Sequence, residues 1–147
     1  MLLKLMMSPL GFTFDRWMMR WTGDSPLSRL FAKQGGFKNV RPPLLLVVRG
    51  RKSGKDRATV LSYFDIEGGL LVVGSNAGSS GEPQWVGNLR ADPNATIYIN
   101  RKPRQVRARI AAGEERRKLW DDLIAIAPTY AGFQALTDRE IPLVVLT

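Results

Sequence analysis

The stretch Gly50-Arg51-Lys52-Ser53-Gly54-Lys55-Asp56-Arg57 places four basic side chains, a hydroxyl and two glycines in one short connection. Backbone N–H groups exposed by such a loop, with Lys and Arg added, form a cradle for phosphate or another anion. It is not a Walker A loop, because the G-x-x-x-x-G-K-[ST] spacing is missing and no helix follows. A solvated basic hairpin has the same composition. A second candidate is Ser75-Asn76-Ala77-Gly78-Ser79-Ser80-Gly81-Glu82-Pro83-Gln84-Trp85, followed by Asn88-Leu89-Arg90-Ala91. Here small residues leave a strand and enter a helix, so free backbone donors face whatever lies above the helix start. Trp85 either stacks on a flat ring or packs in a core. A third candidate, Pro128 to Gln134, carries Tyr130 and Phe133, which either line an apolar pocket or join the core.

What the chain lacks narrows the chemistry. It has no histidine and no cysteine. Thiolate nucleophiles, disulfides, Cys/His zinc sites and Ser-His or Cys-His pairs are excluded, and no metal site is expected. Catalysis would rest on a cofactor or on carboxylate, Lys, Tyr and Ser groups. The 147 residues fit one core, and 22 Lys+Arg against 13 Asp+Glu leave a net charge of +9. That excess is local: residues 41–57 are net +5, residues 1–40 net +4, and residues 101–109 hold five basic groups and no acid. An anionic partner suits such clusters. Nucleic acid is not expected, since no helix-turn-helix or RRM aromatic pattern accompanies the charge.

The elements that must position these groups are legible from periodicity. Ser8-Pro9 opens an amphipathic helix that Gly23 ends, and a shorter helix runs from Pro26 to Lys33 before Gln34-Gly35-Gly36. No secretory signal follows Met1 to Met7, and no 18-residue uncharged stretch is present. Residues 1–40 thus form an N-terminal helical segment. Its 1–22 portion suits either peripheral contact with the inner face of a cell membrane or packing on the body of the protein. A strand is predicted at Leu44–Val48 and another at Ala58–Ile66. A tight turn at Gly68-Gly69 leads into Leu70–Val73. A helix over 83–91, strands over 95–100 and 104–111, helices over 114–127 and 129–136, and a strand over 143–146 complete the chain. Hairpins with inserted helices favour a small α+β barrel over a parallel βαβ sheet.

Taken in order, the motifs resemble the deazaflavin-dependent nitroreductase family, the split β-barrel oxidoreductases that use coenzyme F420. They are Gly50-Arg51-Lys52-Ser53-Gly54 with Arg57, Gly68-Gly69, Ser75, Gly78, Pro83-x-Trp85, Asn88-Leu89-x-Ala91-x-Pro93, Tyr130 and Thr137-Asp138-Arg139-x-Ile141-Pro142. The resemblance covers residues from about Leu44 to the end. It implies an FMN-binding-like split β-barrel of mainly antiparallel strands with flanking helices over 41–147. It also implies that Arg51, Lys52, Ser53 and Arg57 hold the anionic phosphodiester and polyglutamate side of the coenzyme, an 8-hydroxy-5-deazaflavin. Thr59, Val60, Ser75, Asn76, Ala77 and Gly78 would border the ring and phosphate, with Trp85 and Asn88 in the same wall. The 128–134 stretch, with Ser75, resembles the side that takes nitroaromatics and quinones.

The function expected from this is hydride transfer from reduced coenzyme F420 to a flat, electron-poor acceptor such as a quinone or nitroaromatic. Tyr130 and Ser75 are the candidate proton donors beside solvent. FMN is the alternative cofactor, and non-enzymatic coenzyme carriage the alternative role. Departures fall on the acceptor side: Val60, Ser62, Asn76, Val86, Gly87 and Phe133 stand where relatives commonly carry other residues. A cytoplasmic monomer or homodimer is expected.

Overall fold

In the computed structural model, which describes residues 8–22, 24–34 and 42–147, the apolar runs become seven strands of one curled antiparallel sheet. The strands are β1 (Leu44–Arg49), β2 (Asp56–Leu61), β3 (Phe64–Ile66), β4 (Gly69–Val73), β5 (Asn94–Ile99), β6 (Lys102–Ile110) and β7 (Leu143–Leu146). Their spatial order is β2-β1-β5-β6-β7-β4-β3. The α-helices are α1 (Pro9–Thr22), α2 (Pro26–Gln34), α3 (Gln84–Ala91), α4 (Gly113–Ile126) and α5 (Thr129–Ala135). Met1 to Met7, Gly23 and the Gly35-Gly36 stop lie outside the described residues.

Two features turn the sheet into a split barrel. The long strand β6 pairs with β5 through Arg107 and with β7 from Ala108 on, so it passes from one half of the sheet to the other. The sequence predicts one strand over 58–66, but it divides at Ser62-Tyr63. Leu61 pairs with β1 and Phe64 with β4, so this break is the second corner of the barrel. Period-2 reading cannot see a corner, because side chains alternate on both sides of it.

The turns match their residue chemistry. Ile66 pairs with Gly69 across Glu67-Gly68, and Gly68 takes the positive φ of 84°. Gly69 is required for another reason: a Cβ there would meet the Leu146 carbonyl oxygen at 2.5 Å. Asn100 and Arg101, both at positive φ, form the two-residue turn between β5 and β6. Pairing of Ile99 with Lys102 therefore starts β6 earlier than its apolar alternation suggests.

Two cores flank the sheet. Alternate residues Leu44, Leu46 and Val48 of β1 meet Ile97, Val106, Val72, Val144 and Leu146 inside the barrel, where α3 adds Trp85, Val86 and Leu89. The other faces of β4 and β7 bury Leu71, Val73, Leu143 and Val145 beneath Leu123, Ala127 and Tyr130 of the α4–α5 region. At the N-terminus the Ser8 hydroxyl accepts from Gly11 N–H at 3.2 Å, the cap expected of Ser8-Pro9. Helix α1 packs on β1 and β2.

Candidate functional site

The loop from Gly50 to Lys55 is closed by its own backbone: Gly50 N–H donates to Lys55 O, and Gly54 N–H to Gly50 O, both at 2.8 Å. Arg51 then fastens it to α3. Its guanidinium donates to Gln84 O (3.2 Å), Gln84 Oε1 (3.0 Å) and Asn88 Oδ1 (2.8 Å), and its backbone N–H donates to Asn88 Oδ1 (3.1 Å). Asn88 is 5% exposed, so its carboxamide oxygen is satisfied by Arg51 twice over. The sequence treats Arg51 and Asn88 alike as ligand contacts. In the fold they are first a joint between loop and helix.

Above that joint lies a cavity of about 760 Å³, within the range of small-molecule sites. Arg51, Lys52, Ser53, Arg57, Thr59, Asn76, Trp85 and Asn88 all line it, so eight of the residues singled out from the sequence converge. Val60 does not reach it. Ser75, Ala77 and Gly78 are also absent from the lining.

Their segment instead forms a strained turn behind Asn76. Asn76, Ala77 and Gly78 have φ of 45°, 52° and 78°, a run that L side chains rarely adopt. Arg139 holds it, donating to Gly74 O (3.2 Å), Ser75 O (2.8 Å) and Ser79 O (2.9 Å). Asn76 Nδ2 adds a bond to Gly81 O at 2.9 Å. A Cβ at Gly78 would also lie 2.9 Å from Phe133 O, so α5 closes on this turn. Arg139 is therefore a site-shaping residue that the sequence shows only as part of a motif.

Tyr130 stands apart from the cavity. It is 3% exposed in the second core, with edge contacts to Phe64 and Phe133, each at 6.1 Å between ring centres. Burial pushes its phenol pKa well above the ordinary value. The aromatic 128–134 stretch is thus core at Tyr130, not cavity wall.

Phe12 and Arg16 of α1 also line the cavity, although the sequence reading places neither in a site. Their i, i+4 spacing on one helix face was the available signal. With Arg16, Arg51, Lys52 and Arg57 the cavity holds four cations among the described residues. Among the described residues its one lining carboxylate, Glu82, is paired in two-pronged fashion with Arg90 at 3.0 and 3.1 Å. The Arg90 guanidinium pKa is raised by the hydrogen bond to Glu82. Such a site attracts anions. Among the described residues no cluster of acids, His or Cys suits a metal ion.

Residues 24–147 match the model of the F420H(2)-dependent quinone reductase family. The chain belongs to this family. An F420H(2)-dependent quinone reductase of Mycobacterium tuberculosis is 34% identical over 109 residues, covering 72% of this chain and 73% of that one. Another protein of that organism, whose name gives the activity provisionally, is 37% identical over 111 residues, 76% of this chain and 93% of its own. A solved F420-H2-dependent reductase superposes with a TM-score of 0.65 at 33% identity, covering 73% of this chain and 95% of that chain. A second structure, a domain-swapped dimer, gives 0.65 at 31% identity over 82% and 93%.

The chain is accordingly an F420-dependent reductase with a split-barrel fold, and coenzyme F420 takes precedence over FMN. The four-cation cavity fits a cofactor that bears anionic groups.

Proposed function

We propose that the cavity between the Gly50–Arg57 loop, the Asn76 turn and α3 binds reduced coenzyme F420, and that the enzyme reduces a quinone. The observation that carries this reading is the cation set: among the described residues four positive groups face the cavity, and the one carboxylate there is already neutralised by Arg90. Lys52 and Arg57 hold the anionic side of the coenzyme, and the Ser53 hydroxyl, 3.4 Å from Arg57 Nη2, helps orient that arginine. Arg51 and Asn88 keep the loop at its distance from α3. Thr59, Asn76 and Trp85 form the wall toward the flat ring.

Bound there, the coenzyme supplies a hydride in a two-electron step. A quinone that accepts a hydride needs one proton to become a hydroquinone. Tyr130 and Ser75 lie off the cavity lining, and burial holds the Tyr130 proton tightly, so we assign the proton to solvent.

Helix α1 supports a peripheral membrane contact as the place where an apolar quinone is met. Leu10, Phe14 and Trp17 are 78%, 56% and 55% exposed and share one face, with Phe14 and Trp17 rings 6.0 Å apart. Among the described residues no helix is long and apolar enough to cross a membrane, so the contact would be at the surface. Leu10→Ser/Trp17→Ser should weaken sedimentation with anionic vesicles; equal binding removes the membrane link.

The cofactor reading is tested by fluorescence titration of the protein with coenzyme F420 beside FMN. Saturable binding of F420 in preference to FMN, weakened in Lys52→Ala and Arg57→Ala, is expected. Unchanged binding in both variants would overturn the assignment of the cavity.

A further inference from the structure

We infer that α1 is a wall of the coenzyme cavity, with Arg16 adding a cation toward the coenzyme's anionic side, Phe12 an aromatic cover, and Asp15 positioning both. The inference rests on the coenzyme reading of the cavity. Its starting point is that α1 precedes residue 24, where the family match begins, yet two of its side chains line the cavity. The shared family segment does not supply these groups.

The helix is held firmly enough to serve as a wall. Asp15 is 6% exposed, and its carboxylate accepts from the Ser25 hydroxyl at 2.8 and 2.6 Å and from Leu27 N–H at 3.1 Å. It therefore sits at the start of α2, where free N–H groups and the helix dipole favour an anion. Met19, one turn on, is buried, and α1 contacts both β1 and β2. At about 100° per residue, Asp15, Phe12, Arg16 and Met19 occupy one half of α1 and Leu10, Phe14 and Trp17 the other. The same helix thus offers its outer face to an apolar surface and its inner face to the cavity.

Arg16 is available for a ligand. Its guanidinium donates to Thr13 Oγ1 at 3.3 Å on its own helix, and no ion pair neutralises it among the described residues. Arg51, by contrast, spends its donors on Gln84 and Asn88. Of the four cavity arginines and lysines, Arg16, Lys52 and Arg57 are the ones left to meet an anion.

Coenzyme F420 titrations by fluorescence, at low and high salt, test this on the full chain. Arg16→Gln should bind about 5- to 10-fold more weakly at low salt, with the deficit shrinking as salt rises. Phe12→Ala should weaken binding by an amount that salt does not change. Asp15→Ala should also weaken it. Loss of a carboxylate beside a cationic cavity would by charge alone tighten anion binding, so weakening reports displacement of α1. Asp15→Asn, whose amide oxygen still accepts from Leu27 N–H, should restore most of the affinity. Wild-type affinity in Arg16→Gln and Asp15→Ala, with Lys52→Ala weakened, would overturn the role of α1 and leave the cavity reading standing. Wild-type affinity in Lys52→Ala and Arg57→Ala as well would overturn both. An Asp15→Asn variant as weak as Asp15→Ala would overturn the positioning role of Asp15.

Discussion

The Gly50–Arg57 loop and the Pro128–Gln134 segment look equally site-like in the sequence, and the fold sends them in opposite directions. The loop faces the cavity with Lys52 and Arg57 exposed, whereas Tyr130 is sealed in the second core between Phe64 and Phe133. The difference is one of solvation. Burying a guanidinium or ammonium without a partner costs several kcal/mol, so a cluster of them is restricted to a surface or a ligand. An aromatic ring gains by burial wherever a neighbour is apolar, so its sequence position leaves pocket and core equally open.

Substitutions at the two segments should separate stability from binding. The largest effect is expected at Tyr130→Ala, which should cost about 3–5 kcal/mol of stability by denaturant unfolding. Tyr130→Phe should leave quinone turnover unchanged, against a large loss if the hydroxyl delivers the proton. It should also improve stability at alkaline pH. The folded-state pKa is raised above the ordinary 10.0, so the neutral phenol is favoured by folding. That contribution is complete below pH 10 and lost above it, as the unfolded tyrosine ionises.

Lys52→Ala and Arg57→Ala should behave in the reverse manner. Each should weaken coenzyme binding by about 1.5–3 kcal/mol, as for a charge-assisted bond, while the unfolding midpoint stays nearly constant. A drop in stability without a change in affinity would make the loop a structural element like the 128–134 segment. Asn88→Ala should fall between the two. It strips Arg51 of its buried acceptor, costing about 1–2 kcal/mol of stability and loosening the loop, with a matching loss of affinity.

The smallest effect is expected on the β6–α4 surface, where Arg109 and Glu115 pair across two oxygens. The Arg109 hydrogen bond lowers the Glu115 pKa below its ordinary 4.5. A depressed carboxyl contributes stability above that value and loses it as pH falls. Both groups are solvated, so Glu115→Gln should alter the acid limb of a Tm–pH profile only slightly, and less in high salt. A change comparable to that of Tyr130→Phe would contradict the solvated character of this basic strand. Register also separates Arg101–Lys102 from the coenzyme loop: they turn at the Leu44 end of β1, while Gly50 follows its other end.

Much of the fold could be read directly. The break at Ser62-Tyr63 could not, because a barrel corner interrupts pairing without interrupting side-chain alternation. For the site, residue type identified the anionic ligand class through Arg51, Lys52 and Arg57. It did not distinguish Arg51, which braces α3, from Lys52 and Arg57, which carry no such brace. Val60, which the resemblance places beside the ring, lies outside the cavity lining that Thr59 joins. Arg139 is legible in the sequence only as part of a motif, because its three acceptors are backbone carbonyls 60 or more residues away, for which no side-chain pattern exists.

By itself, then, the sequence determined the chemical class: no His or Cys, a localised cationic loop and a strand–helix order that suits a barrel. These follow from composition and short-range periodicity. Only the tertiary structure decided which cations face the cavity, that Tyr130 is core, and that α1 brings Phe12 and Arg16 to the same space. Those outcomes depend on contacts between residues distant in the chain, set by which faces are buried together rather than by any local spacing.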